Sequence, residues 1–299
     1  MSATPDPAVS AQSEQPAAIA LTVLLPTLAA VAVSLRLYTR KVILERTGPD
    51  DWLIVVALFL SIGTSIEIIL ETHFGLGRHQ WTVPPDAILK QMKALYASVI
   101  TYNLANNVTK MSFLLQYRRI FGSSSPTADC VCRWLFVFVL LWAVTQGIVL
   151  GLCCIPVTAF APSMADRCLD TLKVWYFSSS LNLVTDFAIF AVPLPCLYNL
   201  TMPRHQKILV VSIFSLGFFT CIISVIRFIY LPVTTSTKDP TWDNVELSLW
   251  SAAELNCGII CASLQTLRPL LARCIPALAY SGPHGWRVRT ISDGNTSGG

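Results

Sequence analysis

Five charged side chains interrupt stretches of the sequence that are otherwise apolar. They are Glu67, Lys110, Asp186, Arg227 and Glu254. Because moving a charge out of water is costly, an ionisable residue inside a long apolar stretch usually has a partner or a role. Carboxylates and cations in such a setting can form ion pairs or bind a polar ligand, and a carboxyl kept protonated can donate a proton. The partners of these five residues therefore decide which chemistry the chain supports.

Amides and hydroxyls accompany the charges at helical spacing. Polar residues recur at i, i+4 and i+7 in two of the apolar stretches, and residues at this spacing share one face of an α-helix. Lipid offers no hydrogen-bond partners, so both faces must turn toward other helices. The pattern predicts a polar central cavity that binds a ligand; the alternative is that these groups only hold helices together. The two stripes are Asn103, Asn107 and Lys110, and Ser178, Asn182, Thr185 and Asp186.

The sequence has seven apolar blocks, and five of them carry these residues. Of the 299 residues, 54% are hydrophobic and 13% are charged, whereas soluble domains carry about 25% charged residues. A helix of about 20 apolar residues matches the ~30 Å hydrocarbon core of a bilayer. The composition therefore predicts an all-α membrane protein, a seven-transmembrane helix bundle. The blocks run over 17–35, 52–70, 95–115, 134–157, 174–197, 208–231 and 245–267.

The distribution of basic residues predicts the orientation of this bundle. Thirteen Lys and Arg residues lie in the odd-numbered connections and the tail, against six in the even-numbered connections. Since basic residues concentrate on the cytoplasmic side, the N-terminus is expected outside and the C-terminus in the cytosol. We accordingly predict an extracellular leader (1–16), a seven-helix domain (17–271) and a short, largely disordered cytosolic tail (272–299).

Alternating helix directions give each charge an approximate depth. At ~1.5 Å per residue, Lys110 and Asp186 lie at similar depths near the middle of the membrane. Arg227 and Glu254 lie at similar depths farther out. The sequence thus predicts two ion pairs, Lys110 with Asp186 and Arg227 with Glu254.

Cys153 and Cys154 lie at the outer end of the fourth block, and Cys168 lies in the connection that follows, which the topology places outside. An extracellular loop is oxidising, so we predict a disulfide between Cys154 and Cys168, with Cys153 as the competing partner.

Several kinds of site have no signature in this sequence. The four histidines lie in connections or the tail, and Cys130 and Cys132 have no second pair nearby, so no metal is expected. There is no Gly-rich phosphate loop, and the basic residues form no patch for nucleic acid. The seventh block has no lysine that could hold retinal as a Schiff base. We expect no cofactor.

The motifs together resemble the fungal rhodopsin-domain integral membrane proteins, a group that includes satratoxin-cluster membrane proteins and Pth-type receptor-like proteins. The start of the second helix, Gly48-Pro49-Asp50-Asp51-Trp52, carries this resemblance most clearly. The matching motifs cover roughly residues 36 to 270, in order. Others are Gly75-Leu76-Gly77-Arg78-His79, Tyr117-Arg118-Arg119-Ile120-Phe121, Cys154-Ile155-Pro156 with Cys168, Trp250-Ser251 with Glu254, and Leu267-Arg268-Pro269.

The resemblance implies the seven-helix architecture and no light chemistry. We predict a receptor-like sensor of an unidentified small molecule, with membrane lipids and a cytosolic signalling partner as its other contacts. The ligand-cavity candidates are Asn103, Asn107, Lys110, Asn182, Asp186, Arg227 and Glu254. The cytosolic-face candidates are Asp50, Asp51, Tyr117, Arg118, Arg119 and Arg268.

Two other functions remain open at this point. The first is a membrane component of a fungal secondary-metabolite biosynthetic cluster, either a transport facilitator or an embedded cyclase-like enzyme using Asp186, Glu254 or Glu67 as acids. A carboxylate paired with Lys110 or Arg227 is a poor proton donor, so we predict that the protein is not an enzyme. The second is a purely structural membrane protein.

Overall fold

The computed structural model describes residues 13–122, 125–152, 169–198, 217–231 and 239–267, and long helices make up most of these ranges. A π-helical turn, Thr39–Ile43, continues the first helix, and a short helix, Pro193–Tyr198, follows the fifth. The long helices are α1 (Gln15–Tyr38), α2 (Pro49–Phe74), α3 (Pro85–Phe121), α4 (Pro126–Gly151), α5 (Thr171–Ala191), α6 (Gly217–Leu231) and α7 (Pro240–Leu264).

Within the residues that the structure describes, five segments are both long and apolar enough to cross a membrane. Large apolar side chains such as Trp52, Phe59 and Trp134 are exposed on the outside of these helices, where lipid rather than water can cover them. The predicted all-α, multi-pass membrane architecture is therefore confirmed. The five segments are Gln15–Ile43, Pro49–Phe74, Pro126–Gly151, Leu172–Pro195 and Thr241–Leu264.

Helix α3 is long, polar and central. It has 37 residues, about 55 Å at 1.5 Å per residue, and it packs against α2, α4, α5 and α7. Its polar side chains Asn107, Lys110, Ser112 and Gln116 are buried. Because neighbouring helices rather than lipid surround them, the polar groups find hydrogen-bond partners inside the protein. This explains why α3 is not among the five most apolar segments.

The helices differ from the predicted blocks mainly at their ends. Helix α3 extends the 95–115 block at both ends, and α4 begins at Pro126, eight residues before the predicted start. The terminal turns of these helices are polar, so a block defined by its apolar residues is shorter than the helix. Helix α4 ends at Gly151, before the predicted residue 157. The 174–197 block is interrupted at Val192, because Pro193 cannot donate the hydrogen bond that would continue α5.

Small and aliphatic residues make up most of the apolar core where α1, α2, α3 and α7 meet. Ala29, Ile54, Ala105 and Ile259 are completely buried there. Small side chains let helix backbones approach closely, which favours association in membranes. Several predictions fall outside the described residues: the disulfide between Cys154 and Cys168, its competitor Cys153, Arg268 and the 272–299 tail.

Candidate functional site

Lys110 of α3 pairs with Asp186 of α5, as the sequence predicts. The Lys110 Nζ lies 3.0 Å from Asp186 Oδ1, and both side chains are largely buried. Lys110 also lies 2.7 Å from Thr185 Oγ1 and 3.0 Å from the Asn182 backbone oxygen. The ammonium group has three N–H donors, so it can be fully satisfied in this position.

Arg227 of α6 pairs with Glu254 of α7, which confirms the second predicted pair. The Arg227 Nε is 2.7 Å from Glu254 Oε2. Tyr102 of α3 donates a hydrogen bond to the same carboxylate oxygen at 2.8 Å. The guanidinium group lies over the Tyr102 ring, 5.0 Å from its centre, a cation–π geometry.

Uncharged polar side chains join the two pairs into one network. The Asn182 amide donates to Glu254 Oε1 at 2.7 Å. The Ser224 hydroxyl lies 2.9 Å from both Asp186 Oδ2 and Glu254 Oε1, and the Asn106 amide donates to Asn182 Oδ1 at 3.1 Å. Two cations and two carboxylates balance formally. We call this group the central network: Tyr102, Asn106, Lys110, Asn182, Thr185, Asp186, Ser224, Arg227 and Glu254.

Asn103 and Asn107 belong to a separate set of contacts. Both bond to Gln146 of α4: the Asn107 amide donates to Gln146 Oε1 at 2.8 Å, and the Gln146 amide donates to Asn103 Oδ1 at 2.7 Å. Gln146 also donates to Ser178 of α5. The predicted stripe on α3 is therefore divided, with its amides turned toward α4 and Lys110 turned toward α5.

Two cavities lie on opposite sides of the central network. Cavity A has a volume of about 70 Å³ and is partly open; it lies between α2, α3, α4, α5, α6 and α7, and Tyr102, Asn103 and Arg227 line it. Cavity B has a volume of about 50 Å³ and is also partly open, and Lys110, Asp186 and Glu254 line it. Asn107 and Asn182 line neither cavity. The predicted cavity candidates thus divide between two spaces and the network that separates them.

A buried ionic cluster lies at the opposite end of the bundle from residue Gln15. Arg36 is completely buried; its Nη2 is 2.7 Å from Asp50 Oδ2 and its Nε is 2.9 Å from Asp51 Oδ1. The Arg36 Nη1 also donates to the backbone oxygen of Ala262 at 2.7 Å. Arginine suits this position because its planar fork can serve several acceptors at once. We call Arg36, Arg40, Asp50, Asp51 and Arg119 the arginine–aspartate cluster.

The cytosolic-face candidates differ in accessibility. Asp50, Asp51 and Tyr117 are buried, so their first role is structural. Arg118 and Arg119 are about one-third exposed. Arg118 pairs with Asp129 of α4 at 2.8 Å.

Two carboxyls of α2 lie one helical turn apart. Thr101 donates to Glu67 and Ser98 donates to Glu71, each at 2.5 Å. Within the described ranges neither carboxyl has a cationic partner. No group of three His, Cys, Asp or Glu side chains in this part of the chain is placed to hold a metal.

Sequence reasoning missed several of these polar residues. Glu71 lies one position beyond the predicted 52–70 block and Arg36 one position beyond the 17–35 block, so both were assigned to connections. Gln146 and Ser224 are uncharged polar residues inside apolar blocks, which is a weak signal. A search for isolated amides and hydroxyls within the blocks finds both.

Comparison with known proteins agrees with this architecture. The fungal rhodopsin domain matches residues 35–273. The chain is 27% identical over 261 residues to the polyenoic acids biosynthesis gene cluster protein Ba17b of Metarhizium anisopliae, covering 81% of this chain and 70% of that protein. It is 29% identical over 206 residues to an SAT4 family membrane protein of Emericella nidulans, covering 68% of this chain and 49% of that protein.

A third relative is described as a receptor. The chain is 22% identical over 290 residues to Receptor GIN3 of Arthrobotrys oligospora, covering 90% of this chain and 66% of the relative. Since the domain match covers most of the sequence and the helices are those of a multi-pass membrane protein, the chain belongs to the fungal rhodopsin-domain family.

Proposed function

We propose that this protein is a receptor-like membrane sensor that binds a small molecule in cavity A and that is not driven by light. The observation that carries the proposal is the position of Arg227. This residue lines cavity A and pairs with Glu254, which lines cavity B. A molecule that contacts Arg227 therefore acts directly on the network joining four helices.

The network offers a physical route for such a response. Glu254 of α7 accepts hydrogen bonds from Tyr102, Asn182 and Ser224, one from each of three other helices. If a ligand changes the Arg227–Glu254 geometry, these contacts must also adjust, and packed helices tend to switch between discrete arrangements. A ligand that prefers one arrangement then shifts the population toward it.

The proposal includes the seven-span topology, with the N-terminus outside and the C-terminus in the cytosol. Helix α3 is long enough to span, and α6 is an apolar helix described over 15 residues. The first turns of α1 and α7 lie at the same end, where Gly77 N bonds Thr241 O at 3.0 Å. In this orientation cavity A lies in the outer half of the bundle and the arginine–aspartate cluster lies at the cytosolic end, where Arg118 and Arg119 can meet a signalling partner.

We propose binding rather than catalysis. Asp186 and Glu254 are each next to a cation. General acid catalysis needs a protonated carboxyl within reach of the substrate, and an ion-paired carboxylate is a poor source of that proton.

The second candidate is a transport facilitator for a biosynthetic pathway. It is favoured by the two cavities on either side of one polar layer, and by relatives such as Ba17b whose names place them in biosynthesis gene clusters. A facilitator must expose its site to each side of the membrane in turn, and a polar layer between two cavities can separate those two sides.

Thermal stability of the purified protein in lipid nanodiscs tests the sensor proposal. Fractionated metabolite extracts from the source fungus are added to three proteins: wild type, Ser248→Trp, which fills cavity A, and Ser34→Trp, which adds the same bulk to an exposed position on α1. We expect at least one fraction to stabilise the wild type and Ser34→Trp but not Ser248→Trp. Equal stabilisation of all three, or of none, contradicts the proposal. Uptake of the active compound into proteoliposomes above protein-free controls would favour the transport facilitator.

A further inference from the structure

We infer that cavity A binds an amphipathic molecule with a carboxylate or comparable anionic head group. The head group accepts hydrogen bonds from Arg227 and Trp175. This inference rests on the proposed function, because it names the chemical class of the ligand for the same cavity.

The two Nη groups of Arg227, which lies at the wall of cavity A, have no acceptor among the residues that the structure describes. It is the one charged side chain among the described residues that line this cavity, and it is only 8% exposed. Glu254 approaches its Nε, while neither Nη nitrogen makes a hydrogen bond to any described residue. Two Nη groups of a guanidinium form a planar fork that matches a carboxylate.

Trp175 supplies a second unused donor from a different helix. Its indole Nε1 is buried and has no hydrogen-bond partner among the residues that the structure describes. Trp175 belongs to α5 and lines cavity A together with Arg227 of α6. A buried N–H without an acceptor is unfavourable, and indole can only donate. Both unused groups therefore call for a ligand rich in acceptors.

The remaining polarity of the cavity is consistent with an anion rather than a cation. No carboxylate lines the described wall of cavity A, so an ammonium head group would face the Arg227 guanidinium without compensation. Tyr102 and Asn182 also donate to Glu254, so this carboxylate has donors besides Arg227 when that cation shares its charge with a second anion. The site can thus bind a carboxylate without leaving Glu254 unpaired.

The rest of the wall indicates the apolar part of the ligand. Leu95, Val99, Leu231 and Leu247 line the cavity, and aliphatic walls favour a hydrocarbon body. An acid with such a body can place its head at Arg227 while its chain contacts these residues.

Three probes that share one skeleton test the inference: phenylbutyrate, phenylbutanol and phenylbutylamine. Binding to the full chain in nanodiscs is measured by equilibrium dialysis, with protein-free nanodiscs as the blank. We expect phenylbutyrate to bind about tenfold or more tightly than the alcohol or the amine, because hydrogen bonds to charged groups are the stronger ones.

Two mild variants test the assigned donors. Arg227→Lys keeps the charge beside Glu254 but removes the fork, and Trp175→Phe keeps an aromatic ring but removes Nε1. We expect phenylbutyrate affinity to fall about tenfold and about threefold, respectively, with little change for phenylbutanol. The control is Arg118→Lys, whose guanidinium lies outside the cavity and pairs with Asp129. Retained phenylbutanol binding in each variant shows that the cavity is intact.

The possible failures are distinguishable. Equal binding of all three probes, or preference for the amine, with loss of binding in Ser248→Trp, leaves the cavity and the proposed function in place and overturns the anionic class. Absence of phenylbutyrate binding to the wild type also overturns this inference, while the proposed function is then judged by the metabolite fractions.

Discussion

At the scale of residues, each buried charge of the central network has a partner of opposite sign on another helix. Lys110 and Asp186 connect α3 to α5, and Arg227 and Glu254 connect α6 to α7. A buried pair is not necessarily stabilising relative to apolar residues, but removing one partner leaves an uncompensated charge. The network therefore favours one arrangement of helices over others.

Removing one member of the Lys110–Asp186 pair should destabilise the protein strongly. We expect Lys110→Met and Asp186→Leu each to cost about 3–5 kcal/mol, and the double variant to recover part of that loss because no charge is stranded. Thermal unfolding in nanodiscs measures the changes. The control is Asp170 with Lys173, an exposed pair at 3.3 Å, for which Lys173→Met should change stability by less than about 1 kcal/mol. Strictly additive losses at Lys110 and Asp186 would show that the two residues act separately.

Arg36 should not be replaceable by lysine. Its guanidinium contacts Asp50, Asp51 and Ala262 simultaneously, and an ammonium lacks the planar fork. We expect Arg36→Lys to lower stability by about 2–4 kcal/mol, since buried acceptors lose donors. Arg133→Lys is the matched control, because Arg133 is 64% exposed in its contact with Asp129 and should change little. Equal effects of the two substitutions would contradict a structural role for the arginine–aspartate cluster.

At the scale of elements, α3 organises the bundle. It contributes Tyr102 and Lys110 to the central network and Gln116 to the arginine–aspartate cluster, where Gln116 accepts a hydrogen bond from Arg36 at 3.1 Å. One helix thus contacts both the candidate ligand site and the opposite end of the bundle. A small rotation or shift of α3 would affect both, which is the kind of coupling that a sensor requires.

Two glycines, Gly63 inside α2 and Gly75 at its C-terminal end, should have opposite effects on stability when each is replaced by alanine. Gly75 ends the helix with a φ of 128°, and an added Cβ would lie 2.8 Å from the Val83 side chain, so Gly75→Ala should cost about 1–3 kcal/mol. Gly63 lies inside α2 with no atom within 4 Å of an added Cβ. Since glycine is the poorer helix former, Gly63→Ala should stabilise by up to about 1 kcal/mol. Thermal unfolding of both variants decides; a loss at Gly63 would contradict the packing described for α2.

At the scale of the whole molecule, the two ends of the bundle differ in composition. One end joins α1, the α2–α3 connection and α7 through contacts such as the Gln15 amide donating to the Thr72 backbone oxygen at 2.7 Å and His79 Nδ1 lying 2.6 Å from Asp239 Oδ2. The other end has the arginine–aspartate cluster. Basic residues are retained on the cytoplasmic side, so this asymmetry favours the proposed orientation.

Epitope tags after Met1 and after Gly299 should report opposite sides of the membrane. The expected result in intact cells is antibody access to the first tag only, with access to the second after permeabilisation. A cysteine introduced at Trp81, in the turn between α2 and α3, should react with an impermeant thiol reagent on the same side as the first tag. Two tags on the same side would show an even number of spans and would contradict the seven-span topology.

The sequence alone determined the class of this protein and the identity of its two central ion pairs. Apolar blocks of bilayer length predict membrane helices, and a constant rise per residue converts position in a block into depth. Lys110 could therefore be matched with Asp186, and Arg227 with Glu254, before any packing was known. The depth of a residue along the membrane normal follows from its position in its helix, so the sequence alone is enough to estimate it.

Rotation about each helix axis and the choice of neighbours were decided only by the tertiary structure. Asn103 and Asn107 were expected to share a cavity with Lys110, but packing turns them toward Gln146 of α4. Arg36 and the Ala262 carbonyl, 226 positions apart, meet because α1 packs against α7. Helical spacing defines a face without saying which helix it meets, since several antiparallel arrangements bury the same stripe; side-chain packing selects among them.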